Sequence, residues 1–180
     1  MKKFFMLLTL ALLPMLVSAK AYTIKVGDLW YKILTHNRTC WVTSVSEGQY
    51  AGDIVIPATI EVEGYTFKVT QIDLVAFAGF KKVTSVVIPE GVTKIGMSAF
   101  DGCTGLQRVQ LPSTITEIQE DAFASCPNLR EIRCNATTVP KSESNIFDKT
   151  PVTKIKLIVP SSAVSAYKAS TIWKRFVFGK

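Results

Sequence analysis

Histidine is almost missing from this chain of 180 residues, which contains one, His36. A multi-histidine metal centre is therefore excluded, and any catalytic triad would depend on that one position. His36 lies in the polar stretch Thr35-His36-Asn37-Arg38, which reads as a turn between strands. Cysteine is sparse as well, with four residues, and no two stand at the close spacing of a zinc ligand pair. The phosphate-cradling pattern G-x-x-x-x-G-K-[ST] is absent, and no G-x-G-x-x-G follows a strand. The composition thus implies no cofactor. There is no run of five like charges, although 21 Lys+Arg against 14 Asp+Glu leave a formal charge of +7. A basic arm for nucleic acid is not indicated. What is plentiful is apolar material: 48% hydrophobic against 19% charged residues excludes a disordered chain and allows a substantial core.

The single long apolar stretch is at the start. Met1-Lys2-Lys3 is followed by an apolar segment from Phe4 to Val17 and by small residues at Val17-Ser18-Ala19, the layout of a secretory leader over residues 1–19. Ala19-Lys20-Ala21 offers a second cleavage site. The segment is short for a membrane anchor, which needs about 20 residues, and no other window is long enough, so no membrane span is expected after cleavage. The expected location is outside the cytoplasm: periplasm, cell surface or medium. Losing Lys2 and Lys3 lowers the charge from +7 to about +5. A lipid anchor would need a cysteine directly after the cut, and the first is Cys40. Asn37-Arg38-Thr39 and Asn135-Ala136-Thr137 match the glycosylation acceptor pattern, which carries no weight behind a bacterial-type leader.

The middle of the chain repeats itself with a period of 23 residues. Val69-Thr70-Gln71-Ile72, Val92-Thr93-Lys94-Ile95 and Ile115-Thr116-Glu117-Ile118 align without a gap, as do Ala76-Phe77, Ala99-Phe100 and Ala122-Phe123. Val83, Leu106, Leu129 and Val152 follow, then Val86, Val109, Ile132 and Ile155, then Ile88, Leu111, Cys134 and Leu157. This spacing marks a leucine-rich solenoid. Copies run over about 66–88, 89–111, 112–134 and 135–157, the last with Phe147 one residue late. Side chains alternate along a strand, so Val109 and Leu111 face in while Arg108 and Gln110 face out. A single coil cannot bury its aliphatic residues. Stacked about 4.8 Å apart, equivalent residues form continuous columns, including a column of Phe77, Phe100 and Phe123.

The unit Ile95-Gly96-Met97-Ser98-Ala99-Phe100-Asp101-Gly102-Cys103-Thr104-Gly105-Leu106-Gln107-Arg108-Val109-Gln110-Leu111-Pro112 resembles the repeat of BspA-like leucine-rich proteins. The resemblance covers residues 66–134 and weakens over 135–157. It implies a non-catalytic exported protein of the Bacteroidetes type, some relatives being adhesins, without a ligand motif that transfers to particular residues. The fold class expected is α+β and β-rich: a right-handed leucine-rich-repeat solenoid of about four coils over 66–157, an N-terminal β-hairpin cap over 20–65 and a short C-terminal helical cap over 158–180. In the first cap Tyr22–Val26, Leu29–Leu34 and Cys40–Val45 read as strands, Ile54-Val55-Ile56-Pro57 as a stray first strand and Glu61–Phe67 as a hairpin turning at Glu63-Gly64. In the second, Ser161 or Ser162 is placed to cap a helix through Tyr167, with Ile172, Trp173 and Phe176 as an apolar face beyond it. Endings of this Tyr…Trp…Phe kind in the family imply a chain complete at Lys180.

Cys103 and Cys126 share one repeat position, near enough for a disulfide, yet with side chains pointing the same way. Buried thiols fit better than a bridge, although the oxidising compartment favours one. Cys134 stands in a core slot. The candidate binding residues are on the outward strand face, where 23-residue registry gives the columns Ser85, Arg108, Glu131, Lys154 and Val87, Gln110, Arg133, Lys156. Four cations against one carboxylate would make a basic strip that attracts an acidic glycan or protein. A solvated face that merely keeps the sheet soluble is the alternative. Thr70, Thr93 and Thr116 form a second outward column, read as ordinary strand chemistry. Protein or glycan recognition is therefore the leading function. An enzyme or enzyme inhibitor acting through the N-terminal hairpins is the other reading, and oligomeric state is open.

Overall fold

The computed structural model describes residues 21–44 and 50–179, so the leader expected over 1–19 lies outside the described residues. Chain turns set the first elements. Strands β1 (Tyr22–Val26) and β2 (Leu29–Leu34) form an antiparallel hairpin across Gly27-Asp28, where Gly27 supplies a φ of 59°. Four residues later β3 (Thr39–Thr43) pairs back on β2, and Asn37 Oδ1 accepts from both Thr39 N and Thr39 Oγ1 at 3.2 and 2.7 Å. His36 is in that exposed loop, as a turn residue. After β4 (Ala51–Val55), β5 (Thr59–Val62) and β6 (Tyr65–Ile72) form a second hairpin turning at Glu63-Gly64, both with φ above zero.

From β6 onward the chain coils. Strands β7 (Lys82–Val87), β9 (Arg108–Leu111), β11 (Glu131–Cys134) and β13 (Lys156–Ile158) alternate with the two-residue strands β8 (Lys94–Ile95), β10 (Glu117–Ile118) and β12 (Lys141–Ser142). A helix α1 (Val164–Ala169) and a last strand β14 (Val177–Phe178) end the described chain. The strands collect into two sheets. The first runs β1-β2-β3-β6-β8-β10-β12 with β5 on the side of β6; the second runs β14-β13-β11-β9-β7-β4 and is parallel throughout. This is a leucine-rich-repeat fold, mostly strand with one short helix.

The core is a pair of columns between the sheets. The rings of Phe77, Phe100, Phe123 and Phe147 stack with centroids 4.8, 5.2 and 5.7 Å apart and planes within 16° of parallel. Tyr50 extends the stack at 5.0 Å from Phe77, and Trp173 and Phe176 close on Phe147 edge-on at 5.6 and 5.0 Å. Burying each ring contributes about 1.5–3 kcal/mol. Three features refine or differ from the sequence expectation. The stray strand is β4, a full member of the second sheet. The aliphatic column passes from Ile132 to Leu157, because Leu157 pairs with Ile132 while Cys134 pairs with Leu111. Registry at the last copy is therefore 25 residues instead of 23, and Ile155 is buried beside the column without belonging to it. Neither Ser161 nor Ser162 caps a helix: Pro160, with φ −53°, starts a 3₁₀ turn at Ser161–Ala163, so both serines are already inside it and Ala163 becomes the uncapped N-cap of α1.

Candidate recognition face

Cβ alternation on the second sheet sends Val86, Val109, Ile132 and Leu157 into the core and leaves two outward columns. The first reads Asp53, Ser85, Arg108, Glu131, Lys156, Val177 and the second Val55, Val87, Gln110, Arg133, Ile158. Of the candidate residues, Arg108, Gln110, Glu131, Arg133 and Lys156 are brought together on this face. Lys154 is not: the longer last copy folds Val152–Lys154 into a 3₁₀ turn before β13 begins. The same two-residue slip moves Lys156 beside Glu131 instead of Arg133.

Charge on the face changes accordingly. The two columns carry Arg108, Arg133 and Lys156 against Asp53 and Glu131, so the expected basic strip is an alternating ladder along the first of them, and Lys82 adds one more exposed cation at the start of β7. Asp53 was not recognised from the repeat, although Ile54-Val55-Ile56-Pro57 next to it echoes Val86-Val87-Ile88-Pro89. Ser85 Oγ and Thr84 Oγ1 donate to Asp53 Oδ1 at 2.6 and 2.7 Å, and Arg108 Nη2 stands 4.0 Å away. These hydroxyl bonds, Ser85 first, and then the guanidinium hold the carboxyl below the usual aspartate range. Long polar side chains stand here in an extended array on a backbone held by parallel ladders.

Chemistry elsewhere is quiet. Cys40, Cys103, Cys126 and Cys134 are all free and buried, and burial pushes the thiols of Cys103 and Cys126 up to about 12. Among the described residues no group of three His, Cys, Asp or Glu side chains is placed to hold a metal. No helix of the described residues is long and apolar enough to cross a membrane. Beside the N-terminal hairpin an open cleft of about 570 Å³ is lined by Leu29, Tyr31, Ile54 and Ile60 together with Asp28, Asp53 and Glu61. Asp53 there is already engaged by Thr84 and Ser85.

Stacked parallel coils with an alternating core pattern define a leucine-rich-repeat protein. Six copies of the BspA type Leucine rich repeat region match residues 54–171, and the chain belongs to that family. Among solved structures it is similar to a leucine-rich repeat protein from Bacteroides capillosus, with 29% identity and a TM-score of 0.65 over 77% of this chain and 99% of that one. A leucine rich cell surface protein from Faecalibacterium prausnitzii shares the fold at 24% identity and TM-score 0.58, over 79% of this chain and 44% of its own. The leucine-rich repeat protein of T. pallidum matches at 24% identity and TM-score 0.58, over 78% of this chain and 62% of its own. Comparison with curated proteins gave no match.

Proposed function

We propose that this protein is a non-catalytic, exported recognition module that docks a protein partner on the outward face of its second sheet. The observation that supports it is the registered ladder of Asp53, Arg108, Glu131, Lys156 and Arg133 on strands whose backbones cannot shift independently. Alternating signs at strand spacing suit the mixed charge of a protein surface better than a uniformly acidic glycan, and they select against partners with the wrong pattern. The coils are read as right-handed, residues 20–65 and 158–180 as covers for the two ends of the stack, and residues 1–19 as a leader that takes the chain to the periplasm or cell surface. The named cell-surface relative supports export by analogy of fold.

The test is affinity capture from host or neighbouring-cell surface proteins with the wild type and with the double variant Arg133→Glu/Lys156→Glu. The expected outcome is a protein retained by the wild type and lost by the variant, with unchanged thermal unfolding because both side chains are exposed. Equal retention by both would remove this face from the function. Turnover of an esterase, glycosidase or peptidase substrate by the purified protein would replace the recognition reading with an enzymatic one.

A further inference from the structure

The first sheet also has an outward face, and its charge is different. Across its paired strands one row of side chains reads Lys32, Trp41, Gln71, Lys94, Glu117, Lys141. At about 4.8 Å per strand the row is roughly 24 Å long. Lys25, opposite Trp30, and Lys68, opposite Thr39, point from the same face. Five lysines therefore stand against Glu117 and, at the margin, Glu61. Both carboxylates are engaged: Lys94 Nζ is 3.3 Å from Glu117 Oε1, Gln119 Nε2 donates to the same oxygen at 3.1 Å, and Thr66 Oγ1 donates to Glu61 at 2.6 Å. The cationic surface expected on the second sheet is on the first.

Trp41 gives this row an apolar platform. It alternates with the buried Cys40 and Val42, is half-buried, and points away from the core. Lys32 Nζ sits 4.9 Å over its ring, so a sugar stacking on that surface would take the place of the ammonium, which would then be free to pair with a ligand carboxylate. A flat, wet, lysine-rich row with one half-exposed tryptophan cannot engulf a small molecule. It matches an extended polymer that has apolar ring faces and widely spaced negative charges.

We propose that the outward face of the first sheet binds an acidic polysaccharide along the row, Trp41 stacking on a sugar ring and Lys94 and Lys141 pairing with carboxylates on alternate sugars. One sugar in an extended chain covers nearly one strand step. A carboxylate on every second sugar thus recurs at the two-strand interval between Lys94 and Lys141, roughly 10 Å. Nucleic acid has far denser charge, about one phosphate per 3.4 Å of strand, and would leave most phosphates without a lysine. This site shares no residue with the second-sheet face and does not depend on it.

The experiment measures binding of the purified protein to immobilised hyaluronan, an alternating uronic-acid polymer, with dextran as the neutral control and a single-stranded oligonucleotide as competitor. Expected are retention on hyaluronan, none on dextran, and release as salt rises. Trp41→Ala and Lys94→Gln/Lys141→Gln should each weaken binding tenfold or more with unfolding temperatures near wild type. Glu117→Gln removes the one carboxylate in the row and should strengthen binding several-fold, an effect that a damaged fold cannot mimic. Arg133→Glu/Lys156→Glu should bind hyaluronan as the wild type does. No retention on hyaluronan, equal retention on dextran, tighter binding of the oligonucleotide, or insensitivity to all three first-sheet variants would overturn the proposal.

Discussion

One repeat slot at the residue scale solves a backbone problem with two chemistries. Cys103 Sγ donates to Phe77 O at 2.9 Å, and Cys126 Sγ donates to Phe100 O at 3.2 Å. In the next coil Thr150 Oγ1 donates to Phe123 O at 2.7 Å while accepting from Cys126 N at 2.9 Å. The slot therefore needs a small donor inside the core, which explains both the unbridged thiols and the buried Thr150. Cys126→Thr should keep the bond, whereas the similarly sized Cys126→Val removes it and leaves Phe100 O with the Cys103 N–H at 3.2 Å alone. Valine should be less stable than threonine by about 0.5–1.5 kcal/mol in urea unfolding, the net worth of one hydrogen bond. Ellman's reagent should find no reactive thiol in the native protein and four after unfolding. Burial keeps the thiols of Cys40, Cys103 and Cys126 protonated by pushing them up to about 12.

Neighbouring turns at the element scale are tied by polar contacts that the hydrophobic period does not reveal. Ser113 N and Ser113 Oγ donate to Glu90 at 2.9 and 2.8 Å, joining the turn after β7 to the turn after β9. These bonds, the backbone N–H first, hold the Glu90 carboxyl below the usual glutamate range. A lowered folded value contributes stability that is complete above the ordinary range and fades as pH falls through the folded one. Glu90→Gln should therefore unfold at a lower temperature than wild type at pH 7, and the two melting curves should converge in acid. A gap that widens in acid would contradict the assignment. The aromatic spine, the inward alternation at Val109 and Leu111 and the turn at Glu63-Gly64 were legible because each is a local pattern or an ungapped repeat. Two elements were not. Tyr50 is the ring before Phe77, but it comes only four residues before its strand-core partner Ile54, where Phe77 precedes Val86 by nine, so a search at constant period passes over it. Beyond Phe147 the chain takes ten residues to reach Leu157, and that insertion turned the presumed Lys154 strand position into a 3₁₀ turn. The face bearing Trp41 was also hidden, since it exists only because β3 joins β6 in parallel across a bulge, a long-range pairing without a local signature.

The two sheets give the whole molecule two unlike surfaces on one spine: a mixed ladder on the second and a lysine row with tryptophan on the first. A third, acidic region follows the turns between them, where burial and then Glu120, Asp101 and Asp148 hold the Asp121 carboxyl above the usual aspartate range. Charge among the described residues thus differs from face to face, and each face keeps its columns only while the coils stay stacked. Stability in such a stack is a sum over neighbours. The most direct measurement is a set of double-mutant cycles in urea unfolding with Phe77→Leu, Phe100→Leu and Phe123→Leu. Rings stacked at 4.8 and 5.2 Å should couple by about 0.5–1.5 kcal/mol in the pairs 77/100 and 100/123, with additivity within about 0.5 kcal/mol for the separated pair 77/123. Additive adjacent pairs, or equal coupling in all three, would contradict a molecule built from coils in register.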